Sequence, residues 1–397
     1  MVKAASVSVA SALAELRSKS KTPIRIGTLS SFMSAPKVME TGNIVLDSIT
    51  GIGGIPRGRI TEFSGPTGSG KTTSALQSAG LHQQAVKAGT DTGAVMYLDF
   101  ERTLDMRYCR SLGIDPDDEE TFIYMQPDSF EHGIDIFRNL MEKGLLGLCI
   151  VDSVASMVSQ KELEGDSTLI TVGAKAKALN LACRQLIPGL SNTETGIIFL
   201  NHEQVKIDTT WAGKQKASRG IIEYVNPGGT AIPYYSSLRV RFGPASGNKT
   251  EEVNEIGAAE KRVTSTDVVA TVIKNKLSVP FRTGSMRVRF GKGFSQPYSV
   301  YEILTERNII KKKTGGYYEF PEGLLPSDGK PVGQISEENL IGKIESDPAW
   351  LARLLVEAKK VVQAYNEELL KAYNTTDYPD DDDNYTVDEE TGEMIAK

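Results

Sequence analysis

The sequence predicts an α/β fold in which a mostly parallel sheet is covered by helices on both faces. Three observations carry this expectation. From Gly42 onward, continuously apolar strand-like runs alternate with helix-like stretches; a glycine-rich turn joins the first of these strands to the first long helix; and the apolar runs end in acidic or polar residues. With 397 residues, 40% of them hydrophobic and 24% charged, the chain can bury a sizeable core and hold more than one domain.

In chain order, Ser6 to Lys19 has helix-forming composition with Ala10, Leu13 and Leu16 on one face, and Thr22 to Ile26 reads as extended. Serines interrupt the first apolar residues and Glu15 and Arg17 follow quickly, which points to an amphipathic surface helix instead of a signal peptide. This helix–strand element, residues 1–40, is too small to bury its apolar face alone and is expected to pack on the core or on a neighbouring copy. The next strands are read at Ile60 to Ser64, Val95 to Phe100, Leu148 to Asp152 and Ile197 to Asn201. The helices are read after Thr72, at Met106 to Ser111, at Glu131 to Glu142 and at Val172 to Leu190.

Near Glu306 the chain changes character. Lys311-Lys312-Lys313, Gly315-Gly316 and the stretch Pro321 to Pro331 suggest turns and short strands. Asp347 then caps a helix with Pro348 at its first position, and Trp350, Leu351, Leu354, Leu355, Ala358, Val361, Val362, Tyr365 and Leu369 recur at helical spacing. A small α+β C-terminal domain over 306–375, behind a core of 41–305, is the expectation.

No apolar run is long enough to span a bilayer, and the three cysteines, Cys109, Cys149 and Cys183, have neither metal nor disulfide spacing. A reducing, cytoplasmic setting without membrane attachment is expected. The net charge of −6 is unevenly placed: Asp377 to Lys397 hold nine acidic residues and one lysine, a local −8, which leaves +2 for the rest. A slightly basic body can bind a polyanion, with the acidic tail (376–397) as competitor or simply as a solubiliser.

The turn itself, Gly65-Pro66-Thr67-Gly68-Ser69-Gly70-Lys71-Thr72, matches G-x-x-x-x-G-K-[ST] in full. A triphosphate needs amide N–H groups converging from several directions, and only a glycine-rich loop curls tightly enough to supply them. Lys71 would reach the β and γ phosphates of ATP, and Thr72 would hold Mg2+. Leu148-Cys149-Ile150-Val151-Asp152 reads as the second element of such a site, an apolar strand ending in a carboxylate that binds Mg2+, usually through water. The strand before it ends in two carboxylates, Asp99 and Glu101, either of which could orient or deprotonate an attacking water. Alternation points both the same way; Glu101 is preferred because it lies at the mouth of the site.

The segments GIGGIPRGRITEFSGPTGSGKTT, YLDFERTLDMRYCRSLGID, QPDSFEHGIDIF, IVDSVASMVSQKELEG, IIFLNHEQVKI, PGGTAIPYYSSLRVR and VIKNKLSVPF resemble successive blocks of the bacterial RecA recombinase family, in the family's order. The likeness runs from about Ile24 to Glu367. It implies a P-loop NTPase core of RecA type, and Asn201-His202, where the bacterial proteins carry Asn-Gln, resembles a phage-borne, UvsX-like branch. It also implies that Glu101 is the catalytic carboxylate, that Gly65 through Thr73 hold the phosphates, and that Asp105 and Tyr108 bind adenine. His202 would sense the γ-phosphate.

Lys274 and Lys276 in Lys274-Asn275-Lys276 would reach the ATP of an adjacent subunit; without the resemblance, two lysines at a strand end read as a solvated edge. DNA contacts are expected from two stretches. One is the segment 164–173 with the helix behind it, carrying Lys177 and Arg184. The other is 203–229, carrying Lys206, Lys214, Lys216, Arg219, Gly228 and Gly229 and a charge excess of only +1.

The function so implied is an ATP-dependent recombinase that forms helical homo-oligomeric filaments on single-stranded DNA and exchanges strands with homologous duplex. Mediator and single-strand-binding proteins are expected partners, and the setting would be a bacterial or phage-infected cytoplasm. The Lys274-Asn275-Lys276 run argues against a ring helicase on the same core. The retained carboxylate and lysines argue against a non-catalytic mediator.

Overall fold

The computed structural model describes residues 9–19, 37–164, 173–205, 224–225, 227–245, 251–254, 261–374, 385–387 and 394–396. Outside them lie the strand expected at Thr22 to Ile26 and four expected DNA contacts, Lys206, Lys214, Lys216 and Arg219. The chain forms two compact units, residues 1–36 and 37–397. The first contains helix α1 (Val9–Lys19).

In the second unit, strand β1 (Val38–Met39) pairs with β2 (Ile55–Pro56) around helix α2 (Ile44–Thr50). Asn43 starts α2 because its side-chain oxygen accepts from the amides of Val45 and Leu46, at 3.0 and 3.3 Å. Then come β3 (Ile60–Gly65), α3 (Lys71–Lys87), β4 (Ala94–Asp99), α4 (Met106–Ser111), β5 (Phe122–Met125) and α5 (Phe130–Glu142). They are followed by β6 (Leu146–Asp152), α6 (Gln160–Glu164), α7 (Ala174–Thr193), β7 (Gly196–His202), the short pair β8 (Gln204–Val205) and β9 (Tyr224–Val225), and α8 (Ala231–Tyr235). The four strands and four helices read from the sequence in this region all form, within a few residues of the expected ends.

Strand β10 (Leu238–Pro244) runs parallel to β3 and extends the sheet, giving the parallel order β10-β3-β7-β6-β4-β5. On the far side of β10 the sheet turns antiparallel through β11 (Glu251–Asn254), β12 (Lys261–Asn275), β13 (Thr283–Arg289) and β14 (Gly293–Phe294). Strands β3, β4 and β6 are buried at every position, as expected of strands covered on both faces. Alternate residues divide cleanly between the faces. Tyr97, Ile150 and Leu200 pack with Ala75, Leu76 and Ala79 of α3, whereas Met96, Cys149 and Phe199 pack with α5 and α7 through Phe137 and Leu186. This alternation aims the last carboxylate of β6, Asp152, at the start of α3.

After β14 come α9 (Gln296–Glu306), the hairpin β15 (Lys311–Lys313) and β16 (Tyr317–Glu319), α10 (Glu337–Glu345), α11 (Pro348–Asn374), and a second hairpin of β17 (Tyr385–Val387) and β18 (Met394–Ala396). Asp347 caps α11 by accepting from the Trp350 amide at 2.9 Å, and Pro348 fills the first position. The contact grouping keeps 37–397 as one unit because Trp350, Leu354 and Ala358 of α11 belong to the same hydrophobic cluster as Phe63, Val240 and Val272 of the sheet. The sequence boundary near Glu306 therefore marks a new layer on a shared core.

One buried carboxylate near the start of the second unit has a measurable consequence. Asp47 on α2 accepts from the Thr41 amide at 2.9 Å, and burial raises its pKa to about 7. The folded chain holds this proton where the unfolded chain has already lost it. Stability should therefore fall as pH rises from about 4 to about 7. Asp47→Asn keeps the acceptor and removes the charge; it is expected to raise unfolding free energy by about 2 kcal/mol at pH 8 and to leave it nearly unchanged at pH 4. Denaturant melts at the two pH values check this.

Candidate nucleotide site

The loop leaving β3 is forced into shape by its neighbour in the sheet. Gly65 has φ of 147°, and a Cβ there would stand 2.1 Å from the carbonyl oxygen of Phe242 on β10. No side chain fits. Gly70, at φ of 89°, starts α3 without any side-chain cap, so the first amides of a 17-residue helix face the loop. Lys71 is buried and folds over this loop, donating from Nζ to the carbonyls of Gly65 (2.9 Å) and Pro66 (2.7 Å). Burial lowers its pKa to about 8, against the raising influence of Asp152, Glu101 and Glu203.

Across the loop, Thr72 Oγ1 donates to Asp152 Oδ2 at 3.2 Å, and Tyr97 donates to the same oxygen at 2.6 Å. Burial raises the Asp152 pKa to about 6. The residues fit a triphosphate with Mg2+. Ser69 Oγ is buried with no hydrogen-bond partner among the described residues, the helix amides have no cap, and Thr72 and Asp152 bring a hydroxyl and a carboxylate together as a magnesium donor pair.

The two carboxylates that strand alternation alone does not separate have different surroundings. Asp99 is buried and accepts from the amides of Glu101, Arg102, Thr103 and Leu104 and from the Tyr124 hydroxyl, all between 2.7 and 3.1 Å. Its lone pairs are committed to shaping the turn. Glu101 is half-buried, and its Oε1 accepts from Ser153 Oγ at 2.6 Å and lies 2.8 Å from His202 Nε2, with Ser156 Oγ at 3.4 Å. Burial alone would raise its pKa; these hydrogen bonds outweigh that and hold it below the ordinary glutamate value. Ser153 and Ser156 escaped the sequence reading. Their positions one and four residues after the strand-ending Asp152 were the available signal.

Asp105 caps α4 by accepting from the Tyr108 amide at 2.8 Å, and Tyr108 OH lies 2.7 Å from Thr73 Oγ1. Tyr108 is thereby tied to the first turn of α3, beside the phosphate loop. The first residue of the expected DNA-contacting loop, directly after β7, is coupled to the same place. The Glu203 amide donates to the Gly65 carbonyl at 3.1 Å, while the Glu203 carboxylate takes a forked pair of bonds from Arg241.

Lys274 and Lys276 stand elsewhere. Lys274 pairs in register with Arg239, which pairs with Glu62 near the start of β3, whereas the phosphate loop leaves β3 at its other end, beyond Gly65. Lys274 donates to the carbonyls of Pro233 (2.6 Å) and Tyr234 (3.0 Å) at the end of α8, and Lys276 is exposed. Lys274 thus stands level with Glu62, about 10 Å along the strand direction from Gly65 at 3.3 Å per residue and two strands across the sheet, and Lys276 lies farther from the loop of their own chain. Lys177 and Arg184 lie exposed, seven residues apart and so on one face of α7. Gly228 and Gly229 have φ of 90° and 72° and pass directly over α7, where a Cβ on Gly228 would meet Leu179 at 2.6 Å.

The pKa values of the nucleotide site predict its pH profile. Lys71 loses its charge as pH rises through about 8, and Asp152 loses its charge as pH falls through about 6. Affinity for Mg-ATP should be greatest between these values and weaken by up to about tenfold per pH unit on either side. Titration calorimetry across pH 5 to 10 measures it; a flat profile contradicts the assignment of both groups.

Comparison with known proteins identifies the family. The RecA N-terminal domain family matches residues 16–295. Protein RecA of Acinetobacter baylyi is 30% identical over 349 residues, 87% of this chain and 90% of that one. Protein RecA of Thermus aquaticus is 32% identical over 83% of this chain and 88% of its own length, and that of Salinispora arenicola 33% identical over 76% and 79%. No described helix is long and apolar enough to cross a membrane. The chain belongs to the RecA family of ATP-dependent DNA recombinases, DNA-stimulated ATPases that assemble on DNA and exchange homologous strands.

Proposed function

We propose that each ATP site is finished by a second copy of the chain, so that turnover and filament growth on single-stranded DNA are one process. The observation that carries this is that Lys274 and Lys276 lie two strands away from the phosphate loop they are expected to serve and displaced from it toward the start of β3. In a head-to-tail stack, Lys274 and Lys276 of one copy would approach the triphosphate on the next and neutralise charge that develops during phosphoryl transfer.

Within one chain, Gly65 to Thr73 cradle the phosphates, and Asp105 and Tyr108 flank the base. Thr72 and Asp152 hold Mg2+, which supplies charge neutralisation on the phosphate oxygens. Glu101 orients the attacking water and accepts its proton. Its bond to His202 ties it to the residue that precedes Glu203 and the 203–229 loop. A γ-phosphate that draws Lys71 Nζ off the Gly65 carbonyl alters the same oxygen on which the Glu203 amide rests. That shared acceptor supports coupling of nucleotide state to DNA grip. Lys177, Arg184, Lys206, Lys214, Lys216, Arg219 and the amides of Gly228 and Gly229 would contact DNA phosphates without reading sequence.

His202 in place of glutamine supports a UvsX-like phage branch, working with mediator and single-strand-binding proteins. The three cysteines, all buried and unpaired, suit a reducing cytoplasm. Electron microscopy with single-stranded DNA and a slowly hydrolysed ATP analogue should show continuous helical filaments; closed six-membered rings would refute the stacking scheme.

A further inference from the structure

A cavity of about 410 Å3 lies between α11, α2 and the end of β1. Its walls are apolar, with Ile44 and Ile52 on one side and Val362 and Leu370 of α11 on the other. Its polar groups are mostly acceptors. Three carboxyl groups, those of Glu40, Asp47 and Glu367, line it against one cation, Lys359, and that lysine is taken by Glu40 at 2.7 Å. Gln363 spends its side-chain N–H on Glu367 at 3.0 Å. Asp47 and Asn366 are each more than nine-tenths buried. Asp47 accepts from the Thr41 amide at 2.9 Å, whereas the Asn366 side-chain oxygen has no hydrogen-bond partner among the described residues. An apolar chamber with an unmet acceptor and one lysine for three carboxyl groups suits a ligand that brings donors and positive charge.

The acceptors stand in two groups. Glu40 and Asp47 gather at the Lys359 end, while Asn366 and Glu367 lie seven and eight residues farther along α11, about 10 to 12 Å at 1.5 Å per residue. Val362 faces the space between, one helical turn from Lys359 and from Asn366. We infer that the cavity is a binding site for a linear aliphatic diamine, with one ammonium at Asp47 and Glu40, the methylenes along Val362, and the second ammonium at Asn366 and Glu367. The spacing of the acceptors selects two separated charges, and the apolar wall selects the methylene chain that joins them. Among the described residues the carboxylates are not grouped to share a metal ion, so a bare divalent cation does not fit the same place. A diamine so held would tie α11 to α2 and give the buried Asp47 a counter-charge.

Titration calorimetry on the full chain, without DNA or nucleotide, should find one cadaverine site per chain at pH 8 and low salt. The monoamine n-pentylamine should bind at least about tenfold more weakly, because it leaves one group of acceptors unmet. Asp47→Asn and Asn366→Leu should each weaken cadaverine at least about tenfold. Glu357→Gln, on α11 but outside the cavity, should leave it unchanged. Asp47→Asn is expected to fold at least as stably as the parent, so its loss of binding reports on the site and not on the fold. Burial keeps the Asp47 carboxyl protonated up to about pH 7, and the charged groups facing it are Glu40, Lys359 and, across the cavity, Glu367. An ammonium must displace that proton, so affinity should fall about tenfold from pH 8 to pH 6 in the parent and stay level in Asp47→Asn. The inference is overturned if either cavity variant binds as the parent does, if n-pentylamine matches cadaverine, or if the parent shows no binding or a flat pH profile.

Discussion

Lys71→Ala is expected to abolish nucleotide-dependent DNA binding and to lower DNA-stimulated ATP turnover at least about a thousandfold. The size of the effect follows from where the ammonium sits. In the proposed site it is the cation that would meet the terminal phosphates; it is shielded from water, and in the free protein its partners are carbonyls of its own loop. Burying it without a carboxylate partner costs free energy, as its lowered pKa of about 8 records. Its removal should therefore leave the melting temperature of the free chain unchanged or slightly raised, which distinguishes lost chemistry from lost folding. Turnover, DNA retention with and without nucleotide, and a thermal melt are the three measurements. Undiminished strand exchange by this variant would end the case for a nucleotide-gated grip.

Lys274→Ala with Lys276→Ala is expected to reduce turnover by about a thousandfold as well, by a different route. Dilute variant should bind ATP within about twofold of the parent, because neither lysine approaches the loop of its own chain. Mixing this variant with Lys71→Ala should restore part of the activity, since some junctions then join an intact phosphate loop to intact lysines. No recovery on mixing, together with a matching loss of ATP affinity in dilute protein, would place the lysines in their own chain's site. Lys274 is also bonded to the end of α8, so Lys276→Ala alone provides the control that leaves that helix undisturbed.

Much of the nucleotide site was readable in sequence because its determinants are local. The glycines and the lysine of the phosphate loop fall within eight consecutive residues, although the steric limit on Gly65 comes from Phe242 on β10, and an apolar run ending at Asp152 already fixes which end of the sheet carries the carboxylate. The alternation of β6 then decides its face. What sequence could not settle was the pairing of groups distant along the chain. Asp99 and Glu101 share a direction, and only the amides of the following turn and Tyr124 show that Asp99 is occupied. The cluster of Ser153, Ser156 and His202 on Glu101 joins residues about 50 and 100 positions apart. Near Glu306, turn-rich, charged sequence marks a change of character, and the sharing of one hydrophobic cluster by Trp350, Leu354 and Phe63 is likewise a contact between distant residues.

The separation of Lys274 from the phosphate loop along one sheet gives the molecule two unlike poles. A contact between unlike poles is heterologous, and nothing in it tells the series where to stop. Length must then be governed from outside, by the extent of the track or by subunits with one pole disabled. A chain lacking only its lysines could join such a series but would leave the site on the neighbour it should complete without turnover.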